Sequence, residues 1–166
     1  MNYLKQFIIP FSGLSDGEYW FDFKIETAFF ECFEDNDIQE ANIVLKLQFI
    51  KRSAMLELEF NFSGTVKVEC DRCLGPVDLP VKWIEKIFVK FGDEKYDESS
   101  EVLVIPFNDP EIDITKLVYE MIYVALPMKR VHIQGECDGG IEDHISREEN
   151  NKSNKIDPRW EQLRNL

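Results

Sequence analysis

The chain is 166 residues long, 44% apolar and 31% charged, which suits one globular domain and excludes a disordered or fibrous protein. Its 19 Lys and Arg face 32 Asp and Glu, a net charge of -13 that repels phosphate backbones and anionic lipid on average. A histone-like or polybasic membrane binder is thereby excluded, and any nucleic-acid contact has to come from a local basic patch.

In chain order, the first apolar run, Phe7-Ile8-Ile9, is cut by Pro10 and is too short for a signal-peptide core. Tyr19, Phe21, Phe23 and Ile25 alternate with polar residues and predict a strand. The acidic stretch Glu31 to Glu40 reads as a solvated loop, with Cys32 filling core space beside Phe29, Phe30 and Phe33. Ile43, Leu45, Leu47 and Phe49 then share one face, as do Leu56, Leu58, Phe60 and Phe62, and after them Val66, Val68 and Cys70. With Lys51-Arg52-Ser53 and Ser63-Gly64 as turn material, this period of two predicts an antiparallel meander with one wet face. Val81 to Phe91 is a further strand, with Trp83, Ile87, Val89 and Phe91 opposite Lys82, Lys86 and Lys90. Asp93 to Glu101 is a second acidic loop.

From Ile114 the spacing changes. Leu117, Val118, Met121, Ile122 and Ala125 follow one helix face, Asp113 stands at the N-cap position and Pro127 ends the segment. The longest apolar stretches, Ile43 to Ile50 and Leu117 to Met128, are broken by Lys46 and Glu120 or stopped by Pro127. Neither offers the roughly 20 residues a bilayer needs. The expected compartment is the cytoplasm, where cysteines stay reduced.

The expected fold is therefore α+β and β-rich: a twisted, mainly antiparallel sheet, a meander with barrel-like closure within reach, one principal helix and a mobile C-terminal tail. Residues 1–137 form a single domain, 138–156 a polar linker, and 157–166 a short helical segment opened by Asp157-Pro158.

Chemistry concentrates at Cys70-Asp71-Arg72-Cys73-Leu74-Gly75-Pro76, a turn between two strands. Two thiols at this spacing grip a tetrahedral metal from one knuckle, and His132 with Cys137 would complete a Cys3His set that pins the end of the helix to the hairpin tip. His144 is a spare ligand candidate. On the residues alone three readings stay open: metal ligands, small apolar turn residues, and redox thiols, the last without the βαβ context of a thioredoxin-like motif. No nucleophile elbow, phosphate loop or H-E-x-x-H occurs, and two histidines in the whole chain give enzyme chemistry little support. Lys82, Lys86 and Lys90 form the one basic stripe, with Lys129-Arg130 after the helix and Arg147, Lys152, Lys155, Arg159 and Arg164 in the tail. Such a stripe is either the solvated side of a sheet or a phosphate-tracking patch.

The order of these pieces resembles the YceD family of bacterial and plastid proteins, the large ribosomal RNA subunit accumulation proteins. The resemblance rests on Val68-Glu69-Cys70-Asp71-Arg72-Cys73-Leu74, on Ala125-Leu126-Pro127 followed by Val131-His132 and Cys137, and on the ending Asp157-Pro158-Arg159-Trp160-Glu161-Gln162-Leu163. It implies a non-enzymatic cytoplasmic factor supporting synthesis, processing or stability of 23S ribosomal RNA in large-subunit biogenesis. Cys70 and Cys73 match the family's first pair and His132 and Cys137 its second, while Ile141 and His144 stand where many relatives carry two further cysteines. The expected cofactor is zinc on Cys70, Cys73, His132 and Cys137. The expected partners are a ribosomal protein, the pre-ribosomal large subunit or ribosomal RNA itself, met through Arg72, Lys82, Lys86, Lys90, Arg159 and Trp160. No membrane and no small-molecule substrate are expected. The competing reading is a metal-stabilised protein-interaction module with only an indirect effect on ribosomal RNA, in which the acidic loops attract a basic partner.

Overall fold

The computed structural model describes residues 3–92, 102–133, 135–137 and 140. A 3-10 turn, Tyr3–Phe7, leads into β1 (Ile8–Pro10) and then β2 (Gly17–Glu26), followed by the single turn α1 (Thr27–Phe30). The long strands β3 (Glu40–Arg52), β4 (Met55–Glu69) and β5 (Pro76–Phe91) come next, then β6 (Val102–Ile105), β7 (Glu111–Asp113) and the principal helix α2 (Thr115–Ala125). The main sheet has five strands in the order β2-β3-β4-β5-β6, and β1 pairs with β7 in a separate two-stranded sheet. Neighbours in the main sheet are antiparallel except β5 and β6, which run parallel.

Alternation sets the register. Phe23 lies opposite Leu45 and Leu45 opposite Phe62, so one face stacks apolar side chains across three strands. Ile43, Leu45, Leu47, Phe49, Leu56, Leu58, Phe60 and Phe62 are buried there. Each such burial stabilises the fold by ~1.5–3 kcal/mol. The 3-10 turn and α1 close one end: Phe7 sits 5.3 Å from Phe23 and 4.9 Å from Phe29, ring centre to centre. Helix α2 covers β5 and buries Val118, Met121 and Ile122, while the Asp113 carboxylate accepts a 2.8 Å bond from the Thr115 amide at its start.

Four sequence expectations change. Ser63-Gly64 is no turn, because β4 runs unbroken from Met55 to Glu69. The buried positions keep one parity from Leu56 to Val68, which a single strand does naturally. Glycine is required at 64 for another reason: a Cβ there would lie 2.2 Å from the Asn42 carbonyl oxygen and 2.6 Å from the Ile43 Cα. The strand also begins earlier than expected in β5, and Pro80 is accommodated because β6 joins β5 only at Phe88 to Phe91. Among the described residues the sheet does not close into a barrel, and β2 and β6 are its two edges. Cys32 is exposed rather than core filling, its thiol 3.3 Å from the Ala28 carbonyl.

The loop after α1 is not merely solvated. The Tyr119 hydroxyl donates to the Asp35 carbonyl, the Tyr123 hydroxyl donates to the Asp37 carboxylate at 2.8 Å, and Arg130 forms an ion pair with Asp37. Among the described residues no helix is long and apolar enough to cross a membrane. The expected linker 138–156 and C-terminal segment 157–166, apart from residue 140, lie outside the described residues.

Candidate metal centre

Cys70 directly follows β4, and Cys73 lies in the turn that leads into β5. The turn is shaped by its own amides: the Leu74 amide donates to the Cys70 carbonyl at 2.9 Å, and the Cys70 amide donates to the Gly75 carbonyl at 2.8 Å. The Arg72 amide points at the Cys70 sulfur, 3.4 Å away, which is how a thiolate is satisfied without leaving the chain. Leu74 pays for this geometry with φ 60, a left-handed conformation that glycine adopts freely.

The segment after α2 returns to this turn. Its docking is reciprocal: the Asp71 amide donates to the Arg130 carbonyl at 2.8 Å, and the Arg130 amide donates to the Asp71 carboxylate at 2.7 Å. This places His132 and Cys137 against the two turn cysteines. The Cys73 sulfur is 3.4 Å from His132 Nδ1, Cys137 is 3.7 Å from the same nitrogen, and Cys70 and Cys137 sulfurs are 4.0 Å apart. All four ligand atoms lie within 4.8 Å of one another.

Those distances suit one small ion. With metal–sulfur bonds of about 2.3 Å and a metal–nitrogen bond of about 2.05 Å, a tetrahedron sets sulfurs about 3.8 Å apart and sulfur from nitrogen about 3.6 Å. The histidine is also oriented from behind, since its Nε2 lies 3.0 Å from the Pro76 carbonyl. A carbonyl can only accept, so Nε2 carries the proton and Nδ1 faces the sulfurs, the arrangement that outer partners give metal-bound histidines. The metal-free electrostatics agree. Burial by itself would push the Cys70 thiol up, but main-chain bonds from Cys73, Arg72 and His132 bring it down to about 6. The bond to Cys70 raises His132, and burial together with the neighbouring sulfurs raises Cys137 to about 11. The downward shift at Cys70 favours its thiolate over those of its neighbours, and a cation would drive off the remaining protons.

The structure thus brings together Cys70, Cys73, His132 and Cys137. His144 lies outside the described residues, as do Arg159 and Trp160. Arg72 is half-buried inside the turn. Lys82, Lys86 and Lys90 are exposed along one face of β5, away from the core, but Lys86 is engaged by Glu57 at 3.0 Å and lies over the Phe88 ring. Sequence reasoning passed over Asp71 and Arg130, the pair that docks the two halves of the cluster. Their only linear signal is position: one lies between the paired cysteines and the other two residues before His132.

Fold and cluster together define a β-rich α+β domain in which a hairpin tip and a post-helix segment meet in a Cys3His constellation. The chain belongs to the family described as large ribosomal RNA subunit accumulation protein YceD, whose model matches residues 58–166. That span takes in most of β4, the cysteine turn, β5 and α2. Neither a curated protein nor a solved structure matches the chain.

Proposed function

We propose that the chain is a non-enzymatic cytoplasmic factor supporting synthesis, processing or stability of 23S ribosomal RNA in large-subunit biogenesis, with one structural zinc on Cys70, Cys73, His132 and Cys137. The observation that carries the zinc reading is the convergence of four protein ligands within 4.8 Å from two segments far apart in sequence. Four protein ligands leave no open coordination position for substrate, so the ion's work is to hold the hairpin tip to the post-helix segment. The family description supports the ribosomal RNA reading. The test is complementation of a strain lacking the gene. Wild type restores the ratio of large- to small-subunit ribosomal RNA, Cys73→Ser restores it poorly, and untagged protein carries about one zinc per chain that Cys73→Ser loses. A ratio indifferent to the gene removes the ribosomal reading; full-length protein free of zinc removes the metal.

A protein partner is favoured by a different feature, a groove of about 480 Å³ lined by Ile8, Leu103, Ile105 and Ile112 together with Asp109, Glu111 and Asp113. Its acidic lining residues suit a basic, extended segment of a ribosomal protein.

A further inference from the structure

The wet face of the main sheet carries a feature that neither the metal cluster nor the core accounts for. Cross-strand register lines up Lys24, Val44, Ser63 and Lys82 in one row across β2 to β5. The next row holds Asp22, Lys46, Asn61 and Ile84, and the row beyond it Trp20, Gln48, Glu59 and Lys86. Adjacent rows are ~7 Å apart and adjacent strands ~4.8 Å, so these side chains share a surface ~14 Å on a side. Trp20 is 64% exposed, Ile84 59% and Val44 39%. Among the described residues nothing covers them.

Charge on the two central rows runs against the rest of the molecule. Three lysines stand there with a single carboxylate, Asp22, in a chain whose net charge is -13. Elsewhere on the same face Arg52 and Lys86 engage Glu57 and Lys67 engages Glu40, while Lys90 makes no ion pair among the described residues. Lys24, Lys46 and Lys82 make no ion pair among the described residues. An exposed indole at one corner of a patch that holds three lysines without ion pairs, on an open sheet, matches a single nucleic-acid strand, whose bases stack on aromatic rings while cations follow its phosphates. A basic protein would be repelled by those lysines.

We propose that this face, with Trp20 as the stacking platform and Lys24, Lys46 and Lys82 as phosphate contacts, binds single-stranded RNA. The proposal rests on the reading that the chain acts on ribosomal RNA and names the surface that does so.

The test uses the full chain and a fluorescent uridine-rich RNA of about ten nucleotides, titrated at several salt concentrations. Wild type binds with a salt-dependent affinity and the RNA quenches tryptophan emission. Trp20→Ala weakens binding by ~5–100-fold. The triple variant Lys24→Gln, Lys46→Gln, Lys82→Gln lowers the slope of log affinity against log salt by about 2. Lys116→Gln, on the exposed side of α2, leaves binding unchanged and shows that bulk charge is not the cause. A duplex of equal length binds more weakly, because its bases are already stacked. Binding unaltered in both Trp20→Ala and the triple variant, equal affinity for the duplex, or capture of a basic protein but no RNA overturns the proposal. Complementation separates the two levels. If Trp20→Ala and the triple variant restore ribosomal RNA as fully as wild type, the RNA face fails while the ribosomal function stands. If wild type itself has no effect on the ratio, the ribosomal function fails.

Discussion

Chelating the metal should release the post-helix segment from the cysteine turn and leave the sheet intact. Without an ion, three hydrogen bonds still join the two: Asp71 amide to Arg130 carbonyl, Arg130 amide to Asp71 carboxylate, and His132 to the Pro76 carbonyl. At ~1 kcal/mol each they hold the contact by ~3 kcal/mol, which corresponds to ~100-fold protection of an amide that exchanges only on opening. Structural zinc contributes considerably more than that, so the metal-loaded contact should be protected at least ~1,000-fold further, up to the limit set by global unfolding. Hydrogen exchange followed residue by residue, with and without chelator, reads this directly. The Asp71 amide should accelerate by that factor, and the Leu47 and Phe60 amides, in the central strands of the buried sheet, should not. Equal Asp71 exchange in both states refutes the metal. Equal acceleration of Leu47 refutes the view that the sheet folds independently of it.

Three further outcomes test other parts of the structure. Gly64→Ala drives a methyl to 2.2 Å from the Asn42 oxygen, and since both partners are backbone the strands must separate; a loss of ~2–4 kcal/mol in chemical denaturation is expected, and an unchanged midpoint refutes the close approach. Leu74→Gly relieves a left-handed leucine that is 69% exposed and buries little, so stability should rise by ~0.5–1 kcal/mol, whereas a loss would show that the leucine side chain itself is used in packing. Burial would raise the Asp37 carboxyl, but the Tyr123 hydroxyl and the Arg130 guanidinium outweigh it and hold it below its ordinary 3.8. Its contribution is therefore present above about 3.8 and lost as pH falls through the lower folded value. Because the pair is partly solvated, Asp37→Asn should cost less than ~1 kcal/mol at neutral pH, with the gap to wild type closing in acid. A gap that stays constant with pH removes the ion pair as its cause.

Much of this protein was legible from its sequence because burial imposes a period. Strands β3 and β4 bury one side only, so Leu45, Leu47, Leu58 and Phe60 recur every second residue, and α2 buries one stripe, so Val118, Met121 and Ile122 recur at helical spacing. The two halves of the cysteine cluster were also visible, since ligand chemistry restricts which residue types stand at each short spacing. The sequence could not show where one strand ended. Gly64 carries the signature of a turn, and only the approach of the Asn42 and Ile43 backbone reveals it as a contact between strands. Nor could it show how the cluster closes. Arg130 and Asp71 are 59 residues apart and ordinary surface types taken singly, and their mutual bonds exist only once α2 has packed on β5. Trp20, Lys46 and Lys82 belong to three different strands and come to share one face of the sheet solely through register. Periodicity is local and can be read along the chain; proximity across a sheet is settled by pairing, which the free energy of the whole fold decides.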